Sequence, residues 1–263
     1  MNTVQQIYEA IQKKAPFQYQ LGFDNAGFLV GRRNASVDRV LIALDITRDV
    51  VDEAVELGAQ LIVSHHPVIW EGVKQLTDVT PGGDLLLTMA EHGIAAICAH
   101  TNLDAVAEGV NDALACKLGL TQVEQLSQDG VDEQGNPYGI GRIGQVEAQS
   151  VETFAALVKE QLGAACVRVV DSGTPVHRVA VGGGSCGSML GDVLAAGCDT
   201  FVTADVKYDV FLAAKAQGLN LLDAGHYPTE NVVCPVLEGW LKEAFPDLRV
   251  AISQRHREVY HCV

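Results

Sequence analysis

The chain has 263 residues, 48% of them hydrophobic and 19% charged, with 8 prolines, a composition that excludes a disordered, collagenous or low-complexity protein. Its 33 acidic and 18 basic residues leave a formal charge of −15, a field that repels a phosphate backbone, so nucleic acid is not an expected partner. Seven scattered cysteines with no C-x-x-C pair argue against a disulfide framework or a structural zinc site and fit a reducing, cytoplasmic compartment, and no apolar run approaches the ~18 residues of a membrane span.

The N-terminal MNTVQQIYEAIQKKAP has no apolar leader stretch; Val4, Ile7 and Ile11 recur at helical spacing behind Thr3, a candidate cap. Residues 40–45 (VLIALD) form a short apolar run, 49–57 have helical spacing closed by Gly58, and 61–63 are apolar again. This βαβ signature predicts a parallel sheet flanked by helices, with ligands beyond the carboxyl ends of its strands. Residues 121–150 are polar and glycine-rich, with Gly135-Asn136-Pro137 as a turn signal, so a boundary is expected there; 151–162 then look helical and 166–170 extended.

The first arrangement recurs at a constant offset of 139, with Arg39-Val40 on Arg178-Val179, Gly58 on Gly197 and His65-His66 on Ala204-Asp205. A third run, 93–97, matches 218–222 at an offset of 125. Either an internal duplication or two separate βαβ units account for this. The expected fold is two α/β domains with mainly parallel sheets flanked by helices: residues 1–124 plus 232–263, and residues 125–231.

Strand ends gather the chemistry. His65-His66 before Pro67 splay in different directions, and neutral imidazole suits zinc, iron, manganese or nickel, although the pair taken alone reads first as surface loop histidines. His100 with Asp104, His226 with Glu230, and Asp205 stand at three further strand ends. His226 and Glu230 share a face if a helix begins near Pro228, or a loop folds them to one point; Thr229-Glu230 also suits an ordinary helix start. His100 is a candidate proton shuttle or a backbone-bonded histidine. Asp45 and Asp205 are candidates to line the cleft or to bond the ligating imidazoles. Gly182-x-Gly184-x-x-Gly187 has the formal spacing of a dinucleotide loop, but no acidic residue ends the next strand, so a tight turn is expected.

The strings GFDNAGFLVG (22–31), LIVSHHPVIW (61–70), AHTNLDAVAEGVND (99–112), YGIGRIG (138–144), VTADVKYDV (202–210) and DAGHYPTEN (223–231) resemble the NGG-interacting factor three family, whose members are commonly labelled GTP cyclohydrolase 1 type 2 homologs. The resemblance spans nearly the whole chain in the short bacterial form. It implies a toroidal homohexamer of two-domain subunits, each with a dinuclear metal cleft between its domains. It also implies His66 and Asp104 on one divalent ion, His65 and His226 on the other, and Glu230 bridging both. Phe23 stands where many relatives carry tryptophan, which touches no ligand position. Two divalent ions against two carboxylates leave positive charge for a small anionic substrate, and a shared water activated between them suits hydrolysis. The expected function is therefore a dinuclear metal-dependent hydrolase, using zinc, iron or manganese, of a small nucleotide-like or phosphorylated molecule. A phosphoester hydrolase and a non-catalytic metal-binding assembly are the alternatives.

Overall fold

The computed structural model describes residues 2–263. Their contacts form two units: residues up to Leu103 with Val233–Arg257, and Asp104–Val232 with Glu258–Val263. Among the described residues no helix is long and apolar enough to cross a membrane.

In the first unit the helix Val4–Lys14 starts as its sequence requires: Thr3 accepts from Gln6 N while the Gln6 side chain returns to the Thr3 backbone, and Val4, Ile7 and Ile11 are buried. The sheet runs Arg249–Ile252, Arg39–Ala43, Leu61–Ser64, Ala95–Cys98, Gly27–Val30, parallel except for the last pairing. Between its second and third strands, the helix Arg48–Leu57 is capped by Thr47 and closed by Gly58 at φ 66, a left-handed conformation that glycine adopts at little cost. Val50, Val51 and Ala54 of that helix pack on Leu41, Ile62 and Ala96 of the sheet. The strand cores are continuous apolar runs because both faces are covered.

The second unit carries a mixed sheet in the order Arg168–Val170, Asn220–Asp223, Thr200–Thr203, Val176–Val181, Arg142–Gln149, Thr121–Gln125. Only its central three strands are parallel. Here the structure departs from the expected mainly parallel sheet, because the polar 121–150 stretch, expected to hold a boundary, contains two antiparallel strands and a small hairpin. Solvent on the outer strand explains its polar sequence: residues 121–124 are exposed. The sheet's two faces alternate as the pleat demands, with Val179, Val181 and Leu222 packed with Leu114 and Phe154, while Ala180, Phe201 and Leu221 pack with Val193 and Ala214.

The division also falls earlier than the expected residue 124. The helix Val110–Lys117 lies against the second sheet, where Leu114, Ala115 and Leu118 join the core around Phe154. At the other end, Cys262 is joined to Cys166 by a disulfide that keeps the last residues with this unit. The scattered cysteines, read from sequence as arguing against a disulfide framework, give no sign of this bond: 96 residues separate the pair, and only the fold brings them together.

The repeat seen in sequence is present in strand register. Val40 pairs with Leu61 as Val179 pairs with Thr200, and Leu61 pairs with Ala95 as Thr200 pairs with Asn220. The same offsets recur beyond the strands, where Ala99 N donates to Ser64 O and Ala224 N to Thr203 O, each at 2.9 Å. Equivalent strand ends therefore carry the candidate residues of both units.

Candidate functional site

In the first unit, Ser64 ends its strand and its hydroxyl donates to His66 O at 2.8 Å, folding the His65-His66-Pro67 turn onto the strand end. His65 is fully buried and its Nδ1 donates to Ala99 O at 2.8 Å. His66 Nδ1 bonds Asp45 Oδ1 at 2.7 Å. His100 Nδ1 bonds Asp24 Oδ1 at 2.9 Å, and Asn102 accepts from the His100 backbone at 2.9 Å while donating to Ala15 O. The three rings lie 5.0 to 5.5 Å apart by centroid, and one ligand atom from each falls within 4.8 Å of the others, a group that can hold a metal ion. His100, from sequence a candidate proton shuttle or a backbone-bonded histidine, thus stands among the candidate ligands. Trp70, half exposed, meets its ring edge-to-face at 5.1 Å.

Asp24 is a residue of this site that the sequence does not single out. Its other oxygen accepts from Thr101 N and Oγ1, so a single carboxylate with a fully buried side chain ties the 22–31 loop to the HTNLD turn. Burial by itself would raise its pKa, but the hydrogen bonds from His100 and Thr101 outweigh it and hold the group at about 2. A depressed pKa contributes stability above the ordinary value, here about 2 kcal/mol, which is lost as pH falls from about 4 through about 2. Asp24→Asn is therefore expected to unfold at lower temperature than the parent at neutral pH. The gap should narrow across that acid window in thermal melts, and a gap independent of pH would contradict the assignment.

In the second unit, Asp223 ends its strand, Gly225 turns at φ 86, and the helix His226–Glu230 begins two residues before the expected Pro228. Its i, i+4 spacing sets His226 Nε2 2.9 Å from Glu230 Oε2, and His226 Nδ1 bonds Asp205 Oδ2 at 2.7 Å. Asp205 therefore bonds a candidate ligand, from a left-handed backbone position at φ 50.

Glu230 is buried, and the glycine loop shapes its place. A Cβ on Gly184, at φ +64, would lie 1.9 Å from Glu230 Oε1, and one on Gly183 would lie 3.4 Å from Glu230 Cγ. The loop is thus a close-approach turn around a carboxylate, in keeping with the tight-turn reading. Asn111, fully buried, accepts from Gly183 N at 2.9 Å and donates to Asp104 O at 3.0 Å, tying the loop to the Asp104 backbone. Asp104 is itself buried. The Cys186 thiol is pushed far above its ordinary pKa first by burial and then by the carboxylates of Asp104 and Glu230. Burial opposes ionisation of Asp45, yet its bonds to His256 and His66 prevail and hold it well below the usual carboxylate range.

An α/β chain whose strand ends gather a histidine cluster in one unit and a histidine–carboxylate cluster in the other is a candidate metal-binding protein. The chain belongs to the Duf34/NIF3 (NGG1p interacting factor 3) family, whose sequence model matches residues 2–258. It is 36% identical to a Streptomyces coelicolor protein named GTP cyclohydrolase 1 type 2 homolog, over 97% of this chain and 92% of that one. A Clostridium perfringens protein of the same name is 31% identical over 98% of both chains. Among solved structures it resembles a Bacillus cereus protein related to NIF3, with a TM-score of 0.95 at 25% identity, over 100% of this chain and 99% of that one.

Proposed function

We propose that the chain is a hydrolase that holds two divalent ions, with His65 and His226 as ligands of one, His66 and Asp104 of the other, and Glu230 shared. The observation that supports this most directly is the common pose of four imidazoles. His65, His66, His100 and His226 each engage an oxygen through Nδ1, the arrangement that reserves Nε2 for a cation. The approach of His226 Nε2 to Glu230 Oε2 adds to it, since two lone-pair atoms at 2.9 Å require a proton or a cation between them. Imidazole and carboxylate donors suit zinc, iron or manganese.

Ions bound there would supply Lewis acidity and an activated water for attack on a small anionic, nucleotide-like or phosphorylated substrate. Asp45 and Asp205 fix the His66 and His226 rings. His100, held by Asp24 through Nδ1, presents its Nε2 for holding or passing a proton.

Elemental analysis of the purified protein is expected to find about two transition-metal ions per chain. Fewer than one after metal resupply overturns the reading. Turnover of a nucleotide and phosphoester panel that stops on chelation supports hydrolysis, whereas two bound ions without turnover favour a metal-binding assembly. The same reading carries a closed homohexamer. Light scattering checks it, and a monodisperse monomer at micromolar concentration contradicts it.

A further inference from the structure

We propose that His256, distant in sequence from every candidate ligand, is a positioning residue that sets the orientation of His66 through Asp45, an inference that rests on the metal reading above. The strand Arg249–Ile252 lies parallel to Arg39–Ala43, with Ile252 opposite Ile42, so the carboxyl ends of the two strands emerge side by side. Ser253 N continues the ladder to Ile42 O at 2.8 Å. The chain then winds around one buried carboxylate. Glu53, on the helix Arg48–Leu57, accepts from the Ser253 hydroxyl, from Gln254 N at 3.0 Å and from Arg255 N at 3.3 Å. His256 N closes the turn on Ser253 Oγ at 3.1 Å.

This turn delivers His256 Nε2 to Asp45 Oδ2 at 3.0 Å, while Asp45 Oδ1 is 2.7 Å from His66 Nδ1. The two imidazoles therefore hold opposite oxygens of one carboxylate. The exposures indicate which partner is the anchor: the His256 side chain is 6% exposed and that of Asp45 is 42%. Left with His66 alone, the Asp45 carboxylate can rotate toward water, and the His66 ring loses the acceptor that fixes its tautomer and aim. Glu53 otherwise has no evident reason to be a buried acid. Its three bonds serve the turn that carries His256.

The test is zinc affinity of the full-length protein, measured by competition with a chromophoric chelator at neutral pH, on chains first stripped of metal. His256→Leu keeps bulk but removes the donor, and is expected to weaken zinc binding about tenfold or more, the usual range for loss of a ligand's hydrogen-bonding support. His256→Gln keeps an N–H donor and should recover most of that affinity. In an Asp45→Asn background His256→Leu should cost nothing further, because its effect passes through Asp45. Circular dichroism of each metal-free variant checks the fold. Wild-type affinity in His256→Leu, a Gln variant as weak as the Leu variant, or losses that add in the double variant each overturn the positioning role. A wild-type protein that binds no zinc overturns the metal reading itself, and this inference with it.

Discussion

Glu230→Gln is expected to strip at least one of the two proposed ions, and with it the proposed hydrolytic activity, while leaving the fold intact. The side chain is 5% exposed and lies 2.9 Å from His226 Nε2, so the amide occupies the same space but cannot supply the negative charge that two adjacent cations need. It stands in the short helix His226–Glu230, outside the apolar clusters on either face of the second sheet, which is why the fold should survive. Metal content, circular dichroism and thermal unfolding with and without added metal check this together. A ligand at about a hundred times its dissociation constant contributes about 2.7 kcal/mol to stability, and the variant should lose a gain of that order on metal addition. His100→Asn is the informative companion. If His100 serves the proton, that variant keeps both ions and changes turnover alone. Full metal content and activity in Glu230→Gln would reduce the residue to helix-start chemistry and remove the proposed mechanism.

Gly184→Ala should come close to the same loss by a different route. A methyl group there would sit 1.9 Å from Glu230 Oε1 and 2.8 Å from its Cδ, far inside contact distance. The backbone cannot give way easily, since Gly184 N donates to Thr229 Oγ1 at 3.0 Å, and its carbonyl accepts from Ala204 N at 2.9 Å and Thr203 Oγ1 at 3.0 Å. The carboxylate must therefore move. The left-handed φ of +64 adds about 1–2 kcal/mol for a residue with a side chain, equivalent to a fall in unfolding temperature of about 2–8 °C. Gly187→Ala is the control, because a Cβ there meets nothing nearer than Val210 at 3.8 Å. Equal metal content in the two alanine variants would show that the glycine loop does not shape the site.

Local physics made much of the chain legible before any coordinates. The Thr3 cap with its buried Val4, Ile7 and Ile11 was readable because spacing and capping are short-range properties of the backbone. So was the helix closed by Gly58 between two apolar strands. The strand-end rule then singled out His65, His66, His100, Asp205, His226 and Glu230, and the offsets of 139 and 125 recur in the registers of the two sheets. The resemblance carried the family.

Other features belong to the tertiary structure because their partners are far apart in sequence. Residues 121–150 read as a domain boundary since an outer antiparallel strand is polar on its exposed surface, and no local signal separates that from a loop. Asp24 bonds His100 across 76 residues, and only the fold shows that it, rather than a backbone carbonyl, orients that ring. The disulfide joins residues 96 apart, and Glu53 gathers the chain near Ser253 from 200 residues away. Gly184 illustrates the division. Sequence offered a glycine-rich turn, but a positive φ and a carboxylate too close for any Cβ are facts of packing, decided where the loop meets the helix that carries Glu230.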